Sequence, residues 1–126
     1  MTTRPPADPL PGAHEDTAWQ VFCLCAAWCG VCGQWRSDFE QLAAAHPALQ
    51  FRWVDIEDEA DRLGDVEVET FPTLLVAHGG QPRFFGPVQP QAGAVARLLA
   101  SLQAQAQHTE PDPAARELLT RLRGVL

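Results

Sequence analysis

All four cysteines of this 126-residue chain fall between positions 23 and 32, in the stretch VFCLCAAWCGVCGQW. Sulfur gathered this closely serves one of three chemistries: paired thiols exchange disulfides, thiolates bind a metal ion or cluster, and bridged cysteines staple a fold that lacks a core. A chain of 126 residues buries a core of its own, so staples are not required. Cys29 and Cys32 have the C-x-x-C spacing of a redox dithiol. The full set, C-x-C-x3-C-x2-C, offers four thiolates to zinc or an iron–sulfur cluster. It lacks the paired knuckles of a zinc ribbon, however, and two of its members fall on a predicted strand that does not fold side chains around an ion. His14, His46, His78 and His108 are scattered and add no ligand pattern, so no metal site is expected.

The elements that must position these sulfurs can be read from hydrophobic spacing. Residues 18–26, AWQVFCLCA, are apolar except for Gln20, as in a strand buried on both faces. Cys23 and Cys25 alternate there with Phe22 and Leu24, so they share one face and read as small buried hydrophobes. After WCGV the apolar positions move to helical spacing, with Cys32, Trp35, Phe39, Leu42, Ala43 and His46 on one stripe until Pro47 stops the helix. Cys29 therefore falls at the helix cap and Cys32 about one turn inside. Unpaired N–H groups and the positive end of the helix dipole favour a thiolate at that cap. Cys29 is the expected nucleophile, and Cys32, one turn away, is expected to resolve the mixed disulfide.

Farther along, LQFRWVDI (49–56) reads as a second strand and EDEADRLGD as a short helix closed at Gly64, giving the strand–helix–strand unit of parallel pairing. TLLVAH (73–78) and PRFFG (82–86) flank GGQ, as in an antiparallel hairpin. A helix follows with Val95, Leu98, Leu99 and Leu102 on one face. The last segment offers Asp112 as N-cap, Pro113 at the first helical position and a stripe of Leu118, Leu119, Leu122 and Val125. Residues 1–16 contain four prolines and read as an extended arm.

AAWCGVC, followed by FPTLLVAHGG, resembles the thioredoxin family, and the resemblance covers roughly residues 17 to 104. It implies a three-layer α/β/α fold with a mixed central sheet of about four strands, to which the last helix is an addition. The organisation expected is an arm at 1–16, a thioredoxin-like domain at 17–106, and a linker with an additional helix at 107–126. The resemblance also implies a thiol–disulfide oxidoreductase acting on protein disulfides, without a cofactor and re-reduced by a dithiol donor such as a thioredoxin reductase. Phe71-Pro72 should be a cis peptide, and substrate contacts are expected at Trp28, Gly30, Val31, Phe71 and Pro72.

The chain also departs from that family. Cys23 stands where thioredoxins commonly keep a buried aspartate, and Trp53 replaces the neighbouring lysine, so both are candidate modulators of the dithiol. A thiol buried among apolar groups is a poor base near neutral pH. Gly-Val separates the cysteines in place of Gly-Pro, Ser37 replaces a helix-kinking proline, and the usual N-terminal strand and helix are not evident.

A net charge of -7 argues against nucleic acid and against anionic membrane surfaces as partners. The first residues lack the apolar core of a secretory signal and no stretch is long and apolar enough to span a bilayer, so a cytoplasmic location is expected. The competing readings are a binding or adaptor module that keeps the fold without turnover, the four-cysteine metal site, and a glutathione-dependent, glutaredoxin-like role.

Overall fold

The computed structural model describes residues 19–26, 29–64, 68, 70–105 and 110–123. The proline-rich arm, Trp28 and Val125 lie outside them. Four strands, β1 (Trp19–Cys25), β2 (Leu49–Asp55), β3 (Thr73–His78) and β4 (Gln81–Pro87), form one sheet in the order β2-β1-β3-β4. β1 pairs parallel with β2 and antiparallel with β3, and β3 pairs antiparallel with β4. The mixed sheet is thus as expected. The parallel pair is bridged by α1 (Gly30–Ala45), while the antiparallel pair β3–β4 needs only the turn at Gly79 and Gly80, whose φ values of 64° and 75° suit glycine.

β1 and β3 are central, and side-chain alternation sends successive residues to opposite layers. On one face Val21, Cys23 and Cys25 of β1 and Leu74 and Val76 of β3 pack against Cys32, Trp35, Phe39 and Leu42 of α1. Val95, Leu99 and Leu102 of α3 (Ala92–Ala104) complete that layer. On the other face Phe22, Leu24, Val54, Leu75 and Ala77 meet Leu63 of the one-turn helix α2 (Ala60–Leu63). They also meet Ala115, Leu118, Leu119 and Leu122 of α4 (Pro113–Leu122).

Among the described residues, the last helix is therefore the main cover of this sheet face. Asp112 caps it, accepting from the Ala114 N–H at 2.9 Å, and Pro113 occupies the first turn. Its other end is held from β2, where Arg52 Nη1 donates to the Leu122 carbonyl at 2.8 Å while Arg52 Nη2 contacts Glu59 at 3.0 Å. A guanidinium at a helix C-terminus satisfies a free carbonyl and complements the dipole. Gly64, at φ 63°, lies so close beneath Arg121 that an added Cβ would stand 2.6 Å from its Nη1. That site favours glycine for its left-handed backbone conformation, and any larger residue would also have to displace the end of the Arg121 side chain.

Candidate active site

The site forms where β1 ends and α1 begins. The Cys29 N–H donates to the Ala26 carbonyl at 3.0 Å, and Cys29 is the N-cap residue of α1 in an extended conformation. Its side chain makes no capping hydrogen bond, and Cys29 is a half-buried free thiol packed against the α1-side core. Cys32, on the inward stripe of α1, is 1% exposed. The Ile56 N–H donates to the Cys25 carbonyl at 2.9 Å, fixing the end of β1 against the chain leaving β2.

The sulfur pairing differs from the one expected. Cys32 is disulfide-bonded to Cys25, with Cα atoms 5.9 Å apart, and Cys29 is unpaired. Strand alternation alone makes Cys25 a small buried hydrophobe, and the bond to Cys32 corrects that expectation. The strand face carrying Cys23 and Cys25 is the face onto which α1 lays its inward stripe, so the last residue of β1 meets the first inward residue of α1 within disulfide reach. Alternation on β1 and helical spacing on α1 each pointed to that layer. What the sequence did not show was the depth at which they meet.

Cys23 lies one step deeper. Its sulfur is 4.0 Å from the Cys25 sulfur and accepts a hydrogen bond from the Trp35 indole Nε1 at 3.4 Å. Burial pushes the Cys23 thiol up to about 12, against a smaller lowering by the Trp35 bond, so it stays protonated near neutral pH. Trp35, 1% exposed, is both core and the donor that orients Cys23. Trp53 stands beside Cys23 in the parallel register and packs edge-on to Phe39, with ring centroids 5.6 Å apart. The Arg36 guanidinium lies over the Trp53 ring at 5.0 Å, so a cation stacks on the apolar residue at that strand position.

Phe71-Pro72 is cis, as the resemblance implied. Pro72 is buried, and its carbonyl accepts from the Val88 N–H at 3.1 Å. Thr73 donates its hydroxyl to the Thr70 carbonyl and begins β3. Leu24 pairs with Thr73, so Pro72 enters β3 at the same end of the sheet at which β1 finishes with Cys25. Phe71 is half-buried against the same core cluster as Cys29. Gly30 opens α1 with open space around it, and Val31 is 45% exposed, the one exposed large apolar side chain among the described residues. The structure thus gathers Cys29, Cys32, Gly30, Val31, Phe71 and Pro72 around one end of the sheet. His46 and His78 lie elsewhere: His46 Nδ1 bonds the Leu42 carbonyl and His78 stacks on Trp19. Among the described residues no three metal-ligating side chains come together.

The thioredoxin family model matches residues 15–103. The chain belongs to the thioredoxin family. It is similar to "Thioredoxin H2-1" of Oryza sativa subsp. japonica, 32% identical over 75 residues, covering 59% of this chain and 54% of the relative. It is also 30% identical over 56 residues to "Thioredoxin-3, mitochondrial" of Saccharomyces cerevisiae, covering 44% of each. The matched part spans about half the length of these curated relatives. Among solved structures, Fasciola hepatica thioredoxin superposes with a TM-score of 0.62 at 20% identity, over 70% of this chain and 85% of that one. The oxidised form of Saccharomyces cerevisiae mitochondrial thioredoxin 3 gives 0.61 at 22%, over 72% and 85%. At these identities the superpositions establish the fold. In this thioredoxin-family chain Cys32 is bonded to Cys25 and Cys29 is left as a free thiol. None of its described helices is long and apolar enough to cross a membrane.

Proposed function

We propose that the chain is a thiol–disulfide oxidoreductase acting on protein disulfides. The observation that carries this reading is a free, half-buried Cys29 at the N-cap of a 16-residue helix, one turn from a Cys32 whose sulfur is already engaged in a disulfide. The Cys29 thiolate attacks a substrate disulfide, forming one S–S bond and breaking another, and one substrate sulfur leaves as thiolate. Cys32, reduced at this stage, then attacks the Cys29 sulfur, releasing the second substrate thiol and leaving the chain oxidised by two electrons. Val31, Gly30, Phe71, Pro72 and Trp28 form the substrate contact, and Cys23 and Trp53 keep the floor of the site apolar and free of a base. A dithiol donor of the thioredoxin reductase type returns the electrons.

Residues 17–106 are the exchange unit in this reading, and 107–126 supply the cover for its second sheet face. Thiols that cycle in this way fit a reducing compartment such as the cytoplasm. Insulin reduction by dithiothreitol tests the activity. The wild type accelerates precipitation and Cys29→Ser falls to the uncatalysed rate, whereas equal rates for the two end the proposal. Cys32→Ser is expected to retain substrates as mixed disulfides on Cys29, seen as reductant-sensitive adducts on denaturing gels.

A further inference from the structure

Cys32 stands between two possible partners. Helical side chains lean back toward the N-terminus, and residues three apart in a helix bring their Cβ atoms to roughly 5–6 Å. The Cys32 sulfur can therefore reach Cys29 at the cap. Across the layer it is bonded to Cys25, at a Cα separation of 5.9 Å. Cys29 packs against the cluster that contains both other residues. Cys25 and Cys32 are each 1% exposed, so an external thiol cannot reach the bond between them, while Cys29 stays accessible and unpaired.

We propose that Cys25 is a third redox cysteine, which takes Cys32 over from Cys29 and stores the oxidised state of the chain as a buried disulfide. This rests on the exchange activity proposed above, which supplies the Cys29–Cys32 disulfide as the starting species. The Cys25 thiolate attacks the Cys32 sulfur, the Cys25–Cys32 bond forms, the Cys29–Cys32 bond breaks, and Cys29 departs as thiolate. The step is an isomerisation: no electrons enter or leave, and the proton lost by Cys25 balances the one available to Cys29. In a two-cysteine site oxidation consumes the nucleophile. Here the oxidised chain keeps Cys29 free to capture a second disulfide or to reopen the store by attacking Cys32. Cys23, 4.0 Å from Cys25 and one strand step deeper, has its sulfur held by the Trp35 indole N–H and is not bonded to Cys32.

The test uses the intact chain. Oxidation with diamide, trapping of free thiols with N-ethylmaleimide and chymotryptic cleavage after Trp28 separate a fragment holding Cys23 and Cys25 from one holding Cys29 and Cys32. The proposal expects the two fragments to remain joined until reduced, with maleimide on Cys29. Fragments that separate without reductant, with Cys29 and Cys32 both protected, overturn it. In Cys25→Ala, oxidation should instead abolish labelling of Cys29, and continued labelling at the wild-type level overturns it too. In Cys29→Ser refolded under oxidising conditions, so that the Cys25–Cys32 bond forms before the core closes, dithiothreitol should reduce that bond at least about a hundredfold more slowly than in wild type, because attack then waits on local opening of the core. Equal rates overturn the role of Cys29 in reopening the store. None of these measurements reads turnover. A chain that joins its fragments but fails to reduce insulin refutes the activity alone, and one that reduces insulin without joining them refutes the buried store alone.

Discussion

The two faces of the sheet are built from the same strands and do different work. Odd-numbered residues of β1 face α1 and α3 and include Cys23 and Cys25, whereas its even-numbered residues, Phe22 and Leu24, face α4 with Leu75, Leu118 and Leu122. One layer holds sulfur, a tryptophan donor and an interior hydrogen bond, and the other is apolar packing closed by a capped helix. Placing reactive groups on one face leaves the opposite face free to supply stability that chemistry does not disturb. A polar contact inside the reactive layer must be satisfied there, because an unpartnered buried donor costs more than its bond contributes when made.

The division can be broken most strongly from the face that α4 covers. Leu118→Ala removes a fully buried side chain between α4 and the sheet and should lower stability by about 2–5 kcal/mol, seen as a lower urea midpoint. Insulin reduction per folded molecule should not change, and a loss of activity in the folded variant would show that the two faces are coupled. Next is Cys23→Ala, which leaves the Trp35 indole N–H without its acceptor and should cost about 1–3 kcal/mol.

The pH dependence of that same pair is smaller. The folded-state pKa of Cys23 is raised, so its contribution to stability is complete below the ordinary value of 9.0 and is lost as pH climbs toward about 12. By pH 10 the stability gap between oxidised wild type and Cys23→Ala should have narrowed by about 1 kcal/mol. A gap that stays constant from pH 7 to pH 10 would mean that Cys23 is not held as a thiol by burial. The smallest effect is expected for Arg52→Met, which removes the guanidinium from the Leu122 carbonyl. With the Arg52 side chain 39% exposed and solvent screening its charge, the loss should be about 1 kcal/mol, again by urea midpoint.

Much of this molecule was legible in its sequence. The strand at 73–78, the turn glycines, the stop after residue 46 and the Asp112–Pro113 cap all follow from short-range rules of alternation, φ preference and capping. Such rules act within a few residues, so the sequence states them directly. The cis bond at Pro72 came by resemblance, since nothing local makes one X-Pro bond cis rather than another. Alternation likewise placed Cys23 and Cys25 on one face, and helical spacing placed Cys32 and Trp35 on one stripe.

Only the tertiary structure decided which sulfur meets which. That Cys25, and not Cys29, is bonded to Cys32, and that Trp35 donates to Cys23, depends on how deeply α1 seats on the sheet. The same holds for α4. Its stripe of leucines declared a buried face, but that it covers the reverse of β1 and β3 depends on strands that lie far from it in sequence. Periodicity determines which side of an element is buried. Distance across the layer, which no local pattern encodes, determines what that side touches.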